Sequence, residues 1–244
     1  MKQLLITGAS GGIGQAVARL AAARGLEPIG VGRSIDRLQT ALPGLRHIEA
    51  DVTTESGVER LFATMETAGL SPQALVHCVG SSQAGALERT RLADFEQTLV
   101  TNLTSTFLVS RAFVATLRRR ALGGSVVLFS SVVTRIGVAQ HELIAAAKAG
   151  VEGFTLSAAA SHAAHGIRFN AIAPGLTETP LTQRLLSSEV GRAAAMKQYP
   201  LLGINQPEDV ADLALWLTSS ASSRVTGQVI AVDGGFSSVR PLVR

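Results

Sequence analysis

The sequence predicts an α/β fold: a three-layer, doubly wound parallel sheet of seven strands. Three observations predict it. Short β-like runs alternate with longer helical patterns along all 244 residues. Apolar runs such as Val126-Val127-Leu128-Phe129 and Ala74-Leu75-Val76 do not alternate with polar residues, as expected of strands buried on both faces. A glycine-rich loop directly follows the first strand and opens a helix.

The predicted strands cover residues 4–7, 28–32, 45–50, 74–79, 125–129, 167–172 and 228–232. Helical patterns cover 13–24, 34–42, 55–68, 92–120, 140–164 and 208–218. Parallel neighbours need crossover connections, and the helices between the strands supply them. There are no repeats and no low-complexity linker, so the chain reads as one domain, 1–244. Its long interruption, about 175–202, carries Pro180 and Pro200 around a helical piece, where a substrate loop fits.

Composition narrows the function classes. Hydrophobic residues make up 46% and charged ones 16%, which disfavours disorder and coiled coil. Lys and Arg exceed Asp and Glu by 22 to 18, a mild +4 that is not gathered into one long run. The densest cluster, Arg118-Arg119-Arg120, ends an apolar helix where cations complement the helix dipole, and no aromatics interleave with it. It reads as a solvated helix end, so no nucleic acid is expected. The single cysteine, Cys78, excludes an intrachain disulfide and fits a reducing compartment. No signal-peptide layout and no uninterrupted apolar run of membrane length are visible, giving an expectation of a cytoplasmic protein with no membrane partner. Aromatics are 4% of the chain, with one tyrosine, Tyr199.

The loop Thr7-Gly8-Ala9-Ser10-Gly11-Gly12-Ile13-Gly14 offers a tight turn, close backbone approach and free helix amides, which suit a pyrophosphate. Its glycines, Gly8, Gly12 and Gly14, follow G-x-x-x-G-x-G spacing. At the end of the second strand an acidic residue would bind ribose hydroxyls and repel a 2′-phosphate. Here Gly32 is followed by Arg33, so NADP(H) is favoured over NAD(H). Asp51, before Val52, suits either an adenine amino group or the N-cap of the next helix.

Together with this loop, several further pieces occur in order. They are Asn102 in Val-Thr-Asn-Leu, Ser130-Ser131, Lys148, Asn170-Ala171-Ile172-Ala173-Pro174-Gly175 with Thr177 and Thr179, and Thr226-Gly227-Gln228 before Asp233-Gly234-Gly235. With them the sequence resembles the short-chain dehydrogenases/reductases over essentially its full length. The resemblance implies a Rossmann-type fold, often assembled as homotetramers or homodimers, and hydride transfer between a nicotinamide and a small carbonyl or alcohol substrate. It assigns Ser131 to the substrate oxygen, Lys148 to the nicotinamide ribose and Asn102 to a proton-relay water. Gly8, Ser10, Gly11, Gly12, Ile13, Gly14, Arg33, Asp51, Val52, Gly80, Pro174, Gly175, Thr177 and Thr179 are expected to join Lys148 in binding the cofactor.

One element of that pattern is missing. The family's proton-carrying tyrosine belongs four residues before the lysine, and this position is Ile144. Ser131 keeps the family's thirteen-residue spacing to it. The nearest substitute is His141, three residues before Ile144 and seven before Lys148, which shares their face on a continuous helix. An imidazole exchanges protons near neutral pH. Glu142 is about 100° away around the helix, and Tyr199 lies at the far end of the interruption, where packing is its expected role. The motif His77-Cys78-Val79-Gly80 replaces the family's Asn-Asn-Ala-Gly, with His77 expected to brace the sheet and Cys78 to act as a small buried hydrophobe. His162 and His165 lie at a helix end without carboxylate or thiolate partners, so no metal is expected. The leading expectation is an NADP(H)-dependent oxidoreductase with a substituted acid/base. The alternative is an NADP(H)-binding sensor or silent subunit of a hetero-oligomer, and a third reading keeps the nicotinamide but runs non-redox chemistry.

Overall fold

The computed structural model describes residues 2–240; the ends of the predicted 1–244 unit lie outside them. Seven strands form one parallel sheet: β1 (Gln3–Thr7), β2 (Glu27–Gly32), β3 (Arg46–Glu49), β4 (Ala74–His77), β5 (Gly124–Phe129), β6 (Ile167–Pro174) and β7 (Val229–Val232). Their order is β3-β2-β1-β4-β5-β6-β7. The winding reverses between β1 and β4, and a crevice opens beyond the carboxyl ends of strands at such a switch point. All seven predicted strands are present. β4 stops at His77 instead of 79, and β6 continues to Pro174.

The helices α1 (Gly12–Ala23), α2 (Ile35–Ala41) and α8 (Pro207–Thr218) cover one face, while α3 (Glu55–Thr67), α5 (Ser105–Arg119) and α6 (Glu142–His162) cover the other. Successive strand residues point to opposite faces. Leu4 and Ile6 therefore join a core with Val17, Val127 and Leu215, whereas Leu5 joins Leu61, Phe113, Val151 and Phe169. Small and branched aliphatics let both layers pack closely with few aromatics.

The predicted helix over 92–120 is two helices, α4 (Leu92–Leu99) and α5, joined by a π-helical turn at Val100–Thr104. Asn102 sits inside that turn. The wider ring disrupts the regular backbone ladder, and such turns occur frequently at functional sites. The Asn102 carbonyl instead accepts from Thr106 Oγ1 at 2.8 Å.

Two further expectations shift. α6 starts at Glu142 rather than about 140, which leaves His141 as its non-helical N-cap residue. Together with the 3-10 turn Ala163–His165, α6 is long and apolar enough by length and composition to cross a membrane. It is interrupted by Lys148 and Glu152, and its Leu143, Ile144, Ala147, Val151 and Ala159 are buried in the fold. Gly166 ends this stretch in the left-handed conformation (φ 66°), as a C-cap glycine does.

Between β6 and α8 lies the long interruption, with α7 (Glu189–Met196) as its helical piece. Arg192 holds Glu178 through two hydrogen bonds of 2.7 and 2.6 Å, and Gln206 Nε2 adds a third at 3.1 Å. These donors hold the Glu178 carboxyl down at about 2.

Candidate active site

A cavity of about 340 Å³ lies over the carboxyl ends of β4, β5 and β6. Ile13, Gly80, Asn102, Ser131, His141, Lys148, Pro174, Gly175, Thr177 and Thr179 all line it, so the fold gathers these predicted residues from across the sequence. The remaining predicted cofactor residues continue along the ends of β1, β2 and β3.

At that end α1 begins at an N-cap glycine, Gly11, with no side-chain cap and no acidic residue in its first turn. Its leading amides are left for an anion, and the helix dipole favours one there. Gly8 (φ 70°) is required by the turn, because a Cβ on it would lie 2.8 Å from the Cys78 carbonyl carbon. Thr179 of the substrate loop packs onto Gly12 of this glycine loop. Arg33 is exposed beyond β2. Val52 is buried.

Asp51 does not cap α3; Thr54 does, accepting from Gly57 N at 3.1 Å. Asp51 Oδ1 instead accepts from Thr53 N (3.0 Å) and Thr53 Oγ1 (2.6 Å), which leaves Oδ2 for a ligand. Burial pushes this carboxyl up, but the two Thr53 hydrogen bonds and the Arg33 charge outweigh it and the net shift is downward. An amide-lined anion pocket, a glycine cradle and an adjacent guanidinium fit a dinucleotide.

Lys148 forms the floor of the cavity. It is 7% exposed, and its Nζ donates to the Phe129 carbonyl at 2.9 Å. Among the described residues no carboxylate pairs with it. Burial therefore lowers the ammonium to about 8. A Cβ on Gly80 would stand 3.5 Å from Nζ and 3.1 Å from Asn102 Oδ1, so glycine keeps this corner open.

His77 bridges β1 and the start of α5, with Nδ1 2.7 Å from Thr7 Oγ1 and Nε2 3.0 Å from Ser105 Oγ. Burial, helped by the Lys148 charge, lowers this imidazole to about 3, so it braces the sheet as a neutral group. Burial pushes the Cys78 thiol up, and it too is neutral.

Asn102 is tied into the fold by its side-chain amide. Both of its amide hydrogens are committed, to Ser81 Oγ (3.1 Å) and the Thr98 carbonyl (2.9 Å), while Oδ1 accepts from Ser81 N (3.2 Å). Its side chain clasps the segment after Gly80, so a water at this corner would be held by the second lone pair of Oδ1 or of the backbone carbonyl and not by an amide hydrogen. Ser81 lines the cavity in turn and was missed in the sequence, where only its position after Gly80 marks it.

Ser131 caps the 3-10 turn Val132–Thr134, its Oγ accepting weakly from Val133 N at 3.4 Å. Its own proton is left to donate. His141 Nδ1 lies 2.7 Å from the Ala139 carbonyl. A carbonyl only accepts, so Nδ1 carries hydrogen and the neutral ring keeps its lone pair on Nε2. Gln140, just before it, is held at φ 63°, a left-handed conformation rare for a side chain other than glycine. Ile144, 4% exposed, lines the cavity one helical turn before Lys148.

Tyr199 is buried beside the cavity, stacked on Phe236 at 5.0 Å between centroids. Its hydroxyl accepts from Leu176 N at 2.7 Å, so that amide is not free for a ligand. Burial pushes the phenol up despite the Leu176 hydrogen bond. Thr177 Oγ1 bonds the Gly175 carbonyl at 3.0 Å, and Asn170 ties β6 to the segment before β7 through Val225 O and Gln228 N.

The sequence profile described as enoyl-(acyl carrier protein) reductase matches residues 8–237. This chain is a short-chain dehydrogenase/reductase. It is 32% identical to the 2,5-dichloro-2,5-cyclohexadiene-1,4-diol dehydrogenase of Sphingobium indicum, with 98% of each chain covered. It is also 32% identical to the 3-oxoacyl-[acyl-carrier-protein] reductase of Vibrio cholerae, with 96% of each covered. Among solved structures, a variant of the actinorhodin polyketide ketoreductase with NADPH superposes with a TM-score of 0.91 at 26% identity, covering 98% of both chains. The seven-stranded sheet of this short-chain dehydrogenase/reductase is thus the family's sheet, and the cavity lies beside its switch point, with Ile13 and Gly80 on its wall.

Proposed function

We propose that this short-chain dehydrogenase/reductase uses NADP(H) to interconvert a small carbonyl and its alcohol, with His141 replacing the phenol that Ile144 lacks. The observation that carries this reading is the convergence of Ser131, His141 and Lys148 on one cavity around an isoleucine with no proton to give. When bound, the dihydronicotinamide supplies the hydride. The Ser131 hydroxyl donates to the carbonyl oxygen and holds it. His141, its tautomer fixed by the Ala139 carbonyl, gives the proton from Nε2 when the ring is charged and takes it back in the oxidative direction. Lys148 commits one N–H to Phe129 and keeps two for the ribose hydroxyls. The apolar lining of Val133, Val138, Leu181 and Leu185 favours a modestly apolar substrate. Homo-oligomeric assembly, as a tetramer or dimer, and a cytoplasmic location belong to the same proposal.

The test is His141→Ala assayed with a panel of carbonyls and NADPH. A drop in kcat of about 10²-fold is expected, the scale of one positioned acid. An unchanged rate and pH profile would remove histidine from the mechanism. If the wild-type protein turns over no carbonyl while binding NADPH, the sensor or silent-subunit reading takes its place.

Arg33 carries the preference for the phosphorylated cofactor. Arg33→Ala is expected to weaken NADPH binding about 10-fold, the loss of one charge-assisted contact, and to leave NADH within about two-fold. Equal losses for both cofactors, measured by fluorescence titration, would assign Arg33 to adenine stacking instead.

A further inference from the structure

Glu152 is a half-buried carboxylate that the mechanism above leaves without a part. It stands on α6 four residues after Lys148, so the two side chains leave the same helix face one turn apart. Its Oε1 accepts from Ser130 Oγ at 2.5 Å and from Thr134 Oγ1 at 2.6 Å. These are the residue before Ser131 and the third residue after it.

The turn is tied at both of those points. Ser130 is 3% exposed, and its amide donates to the Ile172 carbonyl at 2.7 Å. The Thr134 hydroxyl also lies 2.7 Å from the Ser131 carbonyl, so its one proton is shared between that oxygen and Glu152. Among the described residues no arginine or lysine forms an ion pair with Glu152. The carboxylate is held by these two hydroxyls. The turn bearing Ser131 therefore hangs, on either side of that serine, from the helix that bears Lys148.

We propose that Glu152 is a positioning residue, which holds the Ser131 hydroxyl in register with Lys148 by anchoring Ser130 and Thr134. The inference rests on Ser131 acting on the carbonyl oxygen, as proposed above. A carboxylate oxygen is suited to this work because it only accepts, so both hydroxyls turn their protons inward and neither competes with Ser131 for substrate. A misplacement of about 1 Å in a catalytic group costs on the order of 10²-fold in rate.

The experiment compares Glu152→Leu with Glu152→Gln in the full-length protein. In Glu152→Leu, kcat is expected to fall about 10- to 100-fold with the NADPH dissociation constant within about two-fold, and amide exchange over residues 130–134 to accelerate. Glu152→Gln keeps an accepting oxygen and recovers most of both. Should Glu152→Leu fail to fold, Ser130→Ala with Thr134→Val removes the two donors and is expected to give the same split.

An unchanged kcat in Glu152→Leu overturns the proposal. So does a loss shared equally by cofactor affinity and exchange throughout the chain, because that marks a general structural role. If the wild type proves inactive on carbonyls, the proposed function fails. Exchange over residues 130–134 still decides the anchor, and unaltered protection there overturns it.

Discussion

Lys148→Met is expected to stabilise the cofactor-free protein at pH 7 by about 2 kcal/mol while lowering carbonyl turnover by 10²-fold or more. The ammonium is buried without a counter-ion and has fallen from 10.5 to about 8. A tenfold loss of proton affinity is worth about 1.4 kcal/mol, so keeping the amine charged in the fold costs roughly 3 kcal/mol. Removing the amine also leaves the Phe129 carbonyl without its partner, which offsets about 1 kcal/mol.

The pH dependence has a definite sign. Below about 8 the lysine is charged in both folded and unfolded chains, and its full penalty is present. Between about 8 and 10.5 the unfolded chain binds the extra proton, so wild-type stability rises with pH through that window. Above it the lysine is neutral in both states, and the variant's advantage is expected to vanish and then reverse by about 1 kcal/mol. Urea unfolding at pH 7 and pH 10.5 reads this crossing directly. A variant less stable than wild type at both pH values would show that burial does not strain this ammonium.

That strain is informative about the site. The groups around Lys148 are His77 and Cys78, both neutral through burial, and a backbone carbonyl. Among the described residues no carboxylate pairs with the charge. An ammonium without a counter-ion, on a cavity that Ile13 at the start of α1 also lines, is what supports a ligand rich in acceptor oxygens in the function proposed above.

The sheet was legible in the sequence because most strands are short apolar runs bounded by glycine or polar residues, β3 with its single apolar Ile48 being the exception. The glycine loop was legible because its spacing, the strand before it and the helix after it agree. The break between α4 and α5 was not legible, because the apolar periodicity of 92–120 continues through the π turn that Asn102 occupies. Residue spacing alone places His141 on the helix. The structure begins that helix one residue after His141, with Gln140 in a left-handed conformation that no helical pattern encodes. Contacts across long sequence separations were also invisible. Tyr199 satisfies the Leu176 amide from 23 residues away, and Glu152 reaches back 22 and 18 residues to Ser130 and Thr134. Such partners depend on how β5, β6 and α6 converge, which local patterning does not specify.

Ile144→Tyr, made in the His141→Ala background, is expected to raise kcat at least 10-fold above His141→Ala alone. Position 144 is one helical turn before Lys148 and lines the same cavity as Ser131, so a phenol built there enters a frame whose hydrogen-bond donor and ammonium already stand in place. The nearby ammonium would lower the phenol's proton affinity and ready it to exchange a proton with the substrate oxygen. The cavity of about 340 Å³ has room for the ring, and Ile144 contributes apolar surface to its wall instead of a hydrogen bond that would be lost. The measurement is kcat for carbonyl reduction across pH for the wild type, His141→Ala and the double variant. Recovery in the double variant means that Ser131 and Lys148 form a working carbonyl site lacking only its acid. No recovery, with NADPH binding intact, would mean that Ser131 is not aimed at a reacting carbonyl and would favour a cofactor-sensing role over catalysis.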